Sequence, residues 1–311
     1  MVAVVRYSSG HKSGWDAFVK ASKNGTFLFL RDYMEYHADR FKDHSLLFYY
    51  KDKLVAVLPA STSNKELHSH AGLSYGGMVS GKKMKSQLML QVFEALVRYS
   101  REQHFSALYY KAIPHIYHQL PAEEDLYALF RYGAILYRRD VNSVIDLGNR
   151  LPYNQLRKRK INKAASYTLE IRESQDYGTY MQMASQLLGE KYQLNPIHTA
   201  EELIRLSNSF PENIKLKAIY EGEEMVAGLV IYETATVAHS QYICSNARGQ
   251  KLAALDCLTD YLINKVYPHK KYFSFGVSTE QQGLYLNEGL ASYKESYGAR
   301  TVVHDFYRLD F

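Results

Sequence analysis

Long apolar runs are missing from this 311-residue chain. No stretch comes near the roughly 18 uninterrupted apolar residues that a membrane-spanning helix needs, so no transmembrane segment is expected. Cysteine is scarce. Cys244 and Cys257 stand alone, too few for a disulfide framework and wrongly spaced for zinc. They suit a pair of buried thiols in a reducing compartment. Residues 1–7 turn polar too early for a secretory leader, and a cytoplasmic location is expected. There is no Gly-x-Ser-x-Gly elbow, Walker loop or dinucleotide fingerprint. The histidines form no metal pattern either: His68-x-His70 falls in a probable strand and His115-x-x-His118 in a loop. Neither pair gains a convincing third carboxylate ligand, and no metal is expected.

What is present is apolar content and tyrosine. Hydrophobic residues make up 46% and charged residues 23%, enough for a sizeable core and against wholesale disorder. The length allows two domains. Tyrosine appears 28 times beside a single tryptophan. Its apolar ring carries a hydroxyl able to bond a sugar, a phosphate or a backbone group. The net charge of +6 is concentrated locally: residues 151–163 hold Arg157, Lys158, Arg159, Lys160 and Lys163 without an acid. Such a patch attracts phosphate, on a nucleotide-linked substrate, a tRNA or a membrane surface, or it is a solvated helix face.

The chain also resembles itself when slid by about 165 to 170 residues. Residues 46–50 and 54–59 are β-rich runs around a polar turn, and residues 216–220 and 225–232 repeat the pattern around Glu221-Gly222-Glu223-Glu224; both read as hairpins. An amphipathic helix follows in each copy. Leu88, Val92, Leu96 and Tyr99 share one face in the first, and Leu255, Leu258, Leu262 and Val266 in the second. Next come short β-runs at 107–110 and 272–275. A second helix then stops at the same tripeptide, Tyr132-Gly133-Ala134 and Tyr297-Gly298-Ala299, where glycine suits the left-handed position past a helix end. A last strand closes each copy, near 143–147 and 302–309.

Hairpin, strand, helix, strand, helix, strand implies an α/β (α+β) fold: two tandem domains, each a mixed twisted sheet flanked by helices. The first domain is expected over 1–150. The second, over 151–311, opens with the basic helix around 156–165. A further helical region is expected from about Asp176 to Ser209, broken near Asn195-Pro196.

This order of elements resembles the GNAT acyltransferase fold. Two such units joined through a basic helix are similar to the FemAB/FemX family of aminoacyl-tRNA-dependent peptidyltransferases. The residues carrying the resemblance are Asn24-Gly-Thr-Phe-Leu28 with Arg31-Asp32, Gly72-Leu-Ser-Tyr-Gly-Gly77, Arg157-Lys-Arg-Lys-Ile161, Val226-Ala-Gly-Leu229 and the ending Gly289-Leu-Ala-Ser-Tyr-Lys294-Glu-Ser-Tyr-Gly298. Two departures are visible. Lys251 stands where coenzyme A-dependent GNAT enzymes carry the first glycine of their phosphate loop, and no helical hairpin arm is inserted.

The resemblance implies an N-acyltransferase moving an acyl or aminoacyl group, from acyl-CoA or aminoacyl-tRNA as co-substrate, to an amine. The acceptor would be a small-molecule or nucleotide-linked cell-envelope precursor, such as an amino sugar or a peptidoglycan peptide. Donor binding is expected at Ser245, Asn246, Arg248, Gly249, Gln250 and Lys251, where a strand gives way to a helix start carrying two cations. Acceptor binding is expected in the first domain at Tyr75, Gly76 and Gly77, whose glycines let a ligand approach the backbone. Arg157 and Arg159 are further candidates, as forks for a diphosphate, although residues two apart lie on different helix faces. Lys294 is expected, by resemblance, to neutralise charge on the transferred carbonyl or on a donor phosphate. No general base stands out; Asp305 and His239 are candidates. A rival reading is a non-catalytic carbohydrate- or RNA-binding protein on a degenerate GNAT pair.

Overall fold

A computed structural model describes residues 1–192 and 196–311. The chain divides into two compact units. The first holds Met1–Val141, Thr279–Tyr285 and Val303–Phe311, and the second holds Asn142–Ser278 and Leu286–Val302. The long strand Ile135–Asp146 thus begins in the first unit and ends in the second, and Arg300–Asp310 runs the other way.

In the first unit, Val2–Arg6, Leu46–Tyr50, Lys53–Leu58 and Val79–Ser80 form an antiparallel sheet in that order. The expected hairpin closes through Lys51 and Asp52, both left-handed at φ 50° and 57°, which gives the turn a twist matching its strands. A second hairpin, Ser61–Ser63 with Glu66–His68, leads into a parallel pairing of Glu66–His68 with Ala107–Lys111. The chain's last residues complete this group, Phe306 to Asp310 running antiparallel to 107–111. The helix Ser86–Glu102 buries Met89, Val92, Phe93 and Leu96. Leu88 and Tyr99, expected at the centre of that face, are only half-buried at its margin. The larger side chain of Phe93 takes the core position.

In the second unit the strand order is Glu170–Ser174, Ile214–Glu221, Glu224–Glu233, Val237–Ser245, Tyr272–Val277 and the end of Ile135–Asp146. The pairings are antiparallel except between Val237–Ser245 and Tyr272–Val277. The core gathers Val226, Leu229, Ile231, Leu258, Leu262, Phe273 and Tyr297. The basic helix spans Gln155–Ala164, capped by Asn154, whose Oδ1 accepts from Arg157 N at 2.8 Å. Helices Tyr177–Tyr192 and Ala200–Ser209 fill the expected helical region, the latter opened by a Thr199/Glu202 capping box. Asn195, where the break is expected, lies outside the described residues. Gly133 and Gly298 are left-handed at φ 75° and 83°, each just past a helix end.

Much of the tyrosine goes into these cores. Tyr110, Tyr177, Tyr180, Tyr267 and Tyr297 are among the largest fully buried side chains. Among the described residues, no helix is long and apolar enough to cross a membrane.

Candidate functional site

The parallel pair of the second unit holds together for three residues only. Val237, Ala238 and His239 pair with Tyr272, Phe273 and Ser274, after which no further pairing follows and each strand continues. Two local features coincide with the parting. A bulge between Val230 and Ile231 shifts the register of the neighbouring pairing, and Gly276 takes a left-handed φ of 74°, which bends its strand where a side-chain-bearing residue would be strained.

Three polar side chains collect there. His239 Nδ1 lies 3.0 Å from Ser274 Oγ, which donates to Asn142 Oδ1 at 3.1 Å. Burial, and the nearby Lys294 charge, push the His239 imidazole down to about 4, so it is neutral at physiological pH. Lys294, on the helix Glu288–Glu295, is 4% exposed. Its Nζ donates to the carbonyl oxygens of Gly276 at 3.0 Å and Val277 at 2.5 Å. Burial alone pushes this amine down to about 7.

The expected donor loop lies at the end of Val237–Ser245. Ser245 is buried. Asn246 caps the six-residue helix Ala247–Leu252: its Oδ1 accepts from Gly249 N at 2.7 Å and its Nδ2 donates to Glu224 at 2.9 Å. Gly249 is buried against the Val226 carbonyl, where a Cβ would overlap the oxygen. Its role here is packing of helix on strand. Arg248 is exposed but engaged, forming a two-pronged pair with Glu221 at 2.6 Å on each side. Gln250 and Lys251 are exposed. Beside this helix start a cavity of about 310 Å³ is lined by Asp176, Tyr220, Glu223, Glu224 and Asn246, among others. Its charge is acidic, the opposite of what a polyphosphate selects.

The other expected residues divide. Tyr75, Gly76 and Gly77 are all buried. The Tyr75 hydroxyl donates to Thr26 Oγ1 at 3.0 Å and its ring lies against Phe29 and Tyr117. A Cβ at Gly76 would overlap the Ser69 carbonyl oxygen, and Gly77 is left-handed at φ 87° beneath the Tyr110 hydroxyl. In place of the expected ligand loop stands a packing turn, because the glycines admit neighbouring protein backbone. Arg157 is likewise a core residue, 2% exposed. It pairs with Asp256, donates twice to Ser296 Oγ, and lies 4.5 and 4.3 Å from the Tyr293 and Tyr297 ring centroids. Arg159, two residues on, is exposed with Lys158, Lys160 and Lys163. Asp305, a candidate base, is held by Arg139 through two contacts of 2.6 and 2.7 Å.

Sequence reasoning missed Ser274 and Asn142. The available signal was His68-Ser69 recurring as His239-Ser240 at nearly the repeat offset. Among the described residues no group of three or more His, Cys, Asp or Glu could hold a metal ion.

No family model matches the chain, and no curated protein matches it in sequence. Solved structures do. FemX superposes with a TM-score of 0.70 at 9% identity, over 99% of this chain and 97% of that one. L-PGS from Bacillus licheniformis gives 0.62 at 14% identity, over 95% and 90%. A tandem GNAT protein from the clavulanic acid biosynthesis pathway gives 0.53 at 9% identity, over 100% and 98%. At such identities the likeness establishes the fold, a tandem pair of GNAT-like units.

Proposed function

We propose that this chain is an N-acyltransferase that moves an acyl or aminoacyl group from an activated donor to an amine of a cell-envelope precursor. The observation that carries the reading is that Val237–Ser245 and Tyr272–Val277 pair over three residues only, with His239 in the last pair and Lys294 bonded to the carbonyls of Gly276 and Val277. Strands that part expose backbone N–H groups able to receive a carbonyl oxygen.

The acceptor amine, unprotonated at the moment of reaction, attacks the carbonyl carbon. The oxygen gains charge, and Lys294, with its amine pushed down to about 7, supplies a third N–H from the fraction still protonated near neutral pH while two carbonyls hold the others. His239, neutral and half-buried, takes the proton the nitrogen sheds. Between acyl-CoA and aminoacyl-tRNA as donor, the charge around Asn246 favours the second. Glu221 neutralises Arg248, and Asp176, Glu223 and Glu224 face the adjoining cavity. That acidic wall disfavours the phosphates of coenzyme A beside Asn246. The exposed cations of Gln155–Ala164 would hold the nucleic acid backbone.

The test compares ligands. Filter binding of aminoacyl-tRNA should weaken steeply with salt, and thermal melting should rise with the aminoacyl ester analogue and not with acetyl-CoA. A rise with acetyl-CoA would move the donor assignment to acyl-CoA. The second reading, a non-catalytic carbohydrate- or RNA-binding protein, is favoured by the side-chain cap and ion pair that occupy the donor loop. It predicts RNA binding with no transfer to any amine.

A further inference from the structure

Ser274 Oγ stands at the centre of three polar contacts in the second unit, and together they allow only two proton arrangements. The Gly276 N–H donates to it at 3.3 Å, Asn142 Oδ1 lies 3.1 Å away and His239 Nδ1 3.0 Å away. A hydroxyl has one O–H and two lone pairs. The backbone N–H can only donate, so it occupies one lone pair. One O–H and one lone pair remain for Asn142 and His239. Either the hydroxyl donates to Asn142 and accepts from His239, or it accepts from Asn142 and donates to His239.

The structure takes the first arrangement. Asn142 turns its carboxamide oxygen to Ser274, and an oxygen of that kind only accepts. The remaining lone pair of Ser274 Oγ therefore meets a proton on His239 Nδ1. Burial, with the nearby Lys294 charge, keeps the imidazole neutral at physiological pH, so it carries a single N–H and its two nitrogens are distinct. With that proton on Nδ1, Nε2 is the nitrogen that bears the lone pair. Gly276 suits the same end of the ring. A Cβ there would lie 3.4 Å from Cε1 and 3.9 Å from Nε2, so the glycine sets no side chain over the basic edge. Ser274 and Asn142 are both buried, which keeps water from competing for the hydroxyl.

We propose that Asn142 is a positioning residue: through Ser274 it holds His239 as the Nδ1–H tautomer and so presents Nε2 as the proton acceptor of the transfer reaction. The tautomer rests on the hydrogen-bond geometry; its use in catalysis rests on the transferase reading above. In that step the C–N bond forms, an N–H bond of the attacking nitrogen breaks, and the proton goes to Nε2. The bond from the carbonyl carbon to the leaving oxygen or sulfur then breaks, and the departing alcohol or thiol takes the proton back from Nε2. Ser274 accepts from Nδ1–H in the neutral ring and in the imidazolium alike, so no hydroxyl has to turn during the step. In the opposite arrangement Nε2 would already carry the proton and could not receive one.

The test is a long-range proton–nitrogen correlation spectrum of the full-length chain with isotope-labelled histidine near neutral pH, the His239 signals being identified by their loss in His239→Gln. In the parent, Nδ1 should appear as a protonated nitrogen and Nε2 as a bare one. Asn142→Ala leaves the hydroxyl without its acceptor and able to donate to Nδ1. The Nε2–H form should then appear, and single-turnover transfer should slow about tenfold with donor affinity unchanged. Asn142→Asp, whose carboxylate only accepts, should keep the Nδ1–H form. A parent with its proton on Nε2 overturns the proposal without need of any variant, and so does an Asn142→Ala chain whose His239 stays wholly Nδ1–H. A tautomer change that leaves the transfer rate as it was overturns the catalytic use of Nε2. A chain that gives the expected spectra yet transfers no acyl group to any amine keeps the hold of Asn142 on the ring and loses the transferase assignment.

Discussion

His68 and His239 occupy matching stations in the two units. Each is the third and last paired residue on the leading strand of a parallel pair, opposite Tyr109 in the first unit and Ser274 in the second. Beyond His239 its pairing with Tyr272–Val277 ends, whereas after His68 the Ser69 N–H still donates to the Tyr109 carbonyl and its Oγ accepts from Lys111 N. Each also has a partner on its other side, Ser61 for His68 and Tyr232 for His239, so both stand inside the sheet. The partners differ: a tyrosine ring stacks on His68, whereas a serine hydroxyl orients His239.

From that difference follows an expected hierarchy in the second unit. Replacing His239 by Gln should slow transfer about 100-fold with little change in donor affinity, since it removes proton acceptance and leaves the donor contacts. Ser274→Ala should cost less, about tenfold, because it frees the ring without removing it. Single-turnover transfer beside donor titration separates the two effects. A large loss of donor affinity in either variant would place His239 in binding.

The basic helix offers a sharper contrast. Arg157→Ala strands Asp256 in the core, and losing one partner of a buried pair costs on the order of 3–5 kcal/mol. Arg159→Ala should leave stability within about 0.5 kcal/mol and lower the salt dependence of tRNA binding by about one ion. Urea melts and binding at several salt concentrations measure both. Equal stability losses would mean the helix face is assigned wrongly.

These two arginines also show where a sequence reading reaches its limit. The hairpins, the helix stops at Gly133 and Gly298 and the tandem order are written locally, in turn residues and in the spacing of apolar positions. Burial of Arg157 depends on Asp256, Ser296 and Tyr297, which lie far along the chain. The same holds for Tyr75-Gly76-Gly77. Glycines that admit a ligand and glycines that admit the Ser69 carbonyl look identical in one dimension. The exchange of strand ends, by which 303–311 joins the first unit, has no local signal at all.

Asp125 gives a pH test of the first unit's core. It is buried, accepts from the Tyr110 hydroxyl, and burial pushes it up to about 6 from 3.8. Between those values the folded chain holds a proton that the unfolded chain lacks, so stability falls as pH rises from about 4 to 6 and stays lower above. The span is on the order of 3 kcal/mol. Asp125→Asn keeps an acceptor for Tyr110 without the charge, and should melt higher than the parent at pH 7.5 and about equally near pH 4. A parent more stable than the variant at pH 7.5 would show that Asp125 is stabilised as a carboxylate.

Lys294 sets stability against activity. Its folded value near 7 compares with 10.5 for an unperturbed lysine. Between these the unfolded chain carries a proton that the folded chain has released, so its contribution to stability rises with pH from 7 to 10.5 and is most adverse below 7. That adverse contribution is on the order of 5 kcal/mol at its largest. Lys294→Met removes it and leaves the carbonyls of Gly276 and Val277 without a donor, which returns about 1–3 kcal/mol. The variant should therefore melt above the parent at pH 6, lose that advantage by pH 10, and transfer 100- to 1000-fold more slowly, about the loss expected for one donor to a developing oxyanion. A variant that melts below the parent by the same margin at both pH values would mean that the folded protein holds Lys294 charged, with no strain between its burial and its chemistry.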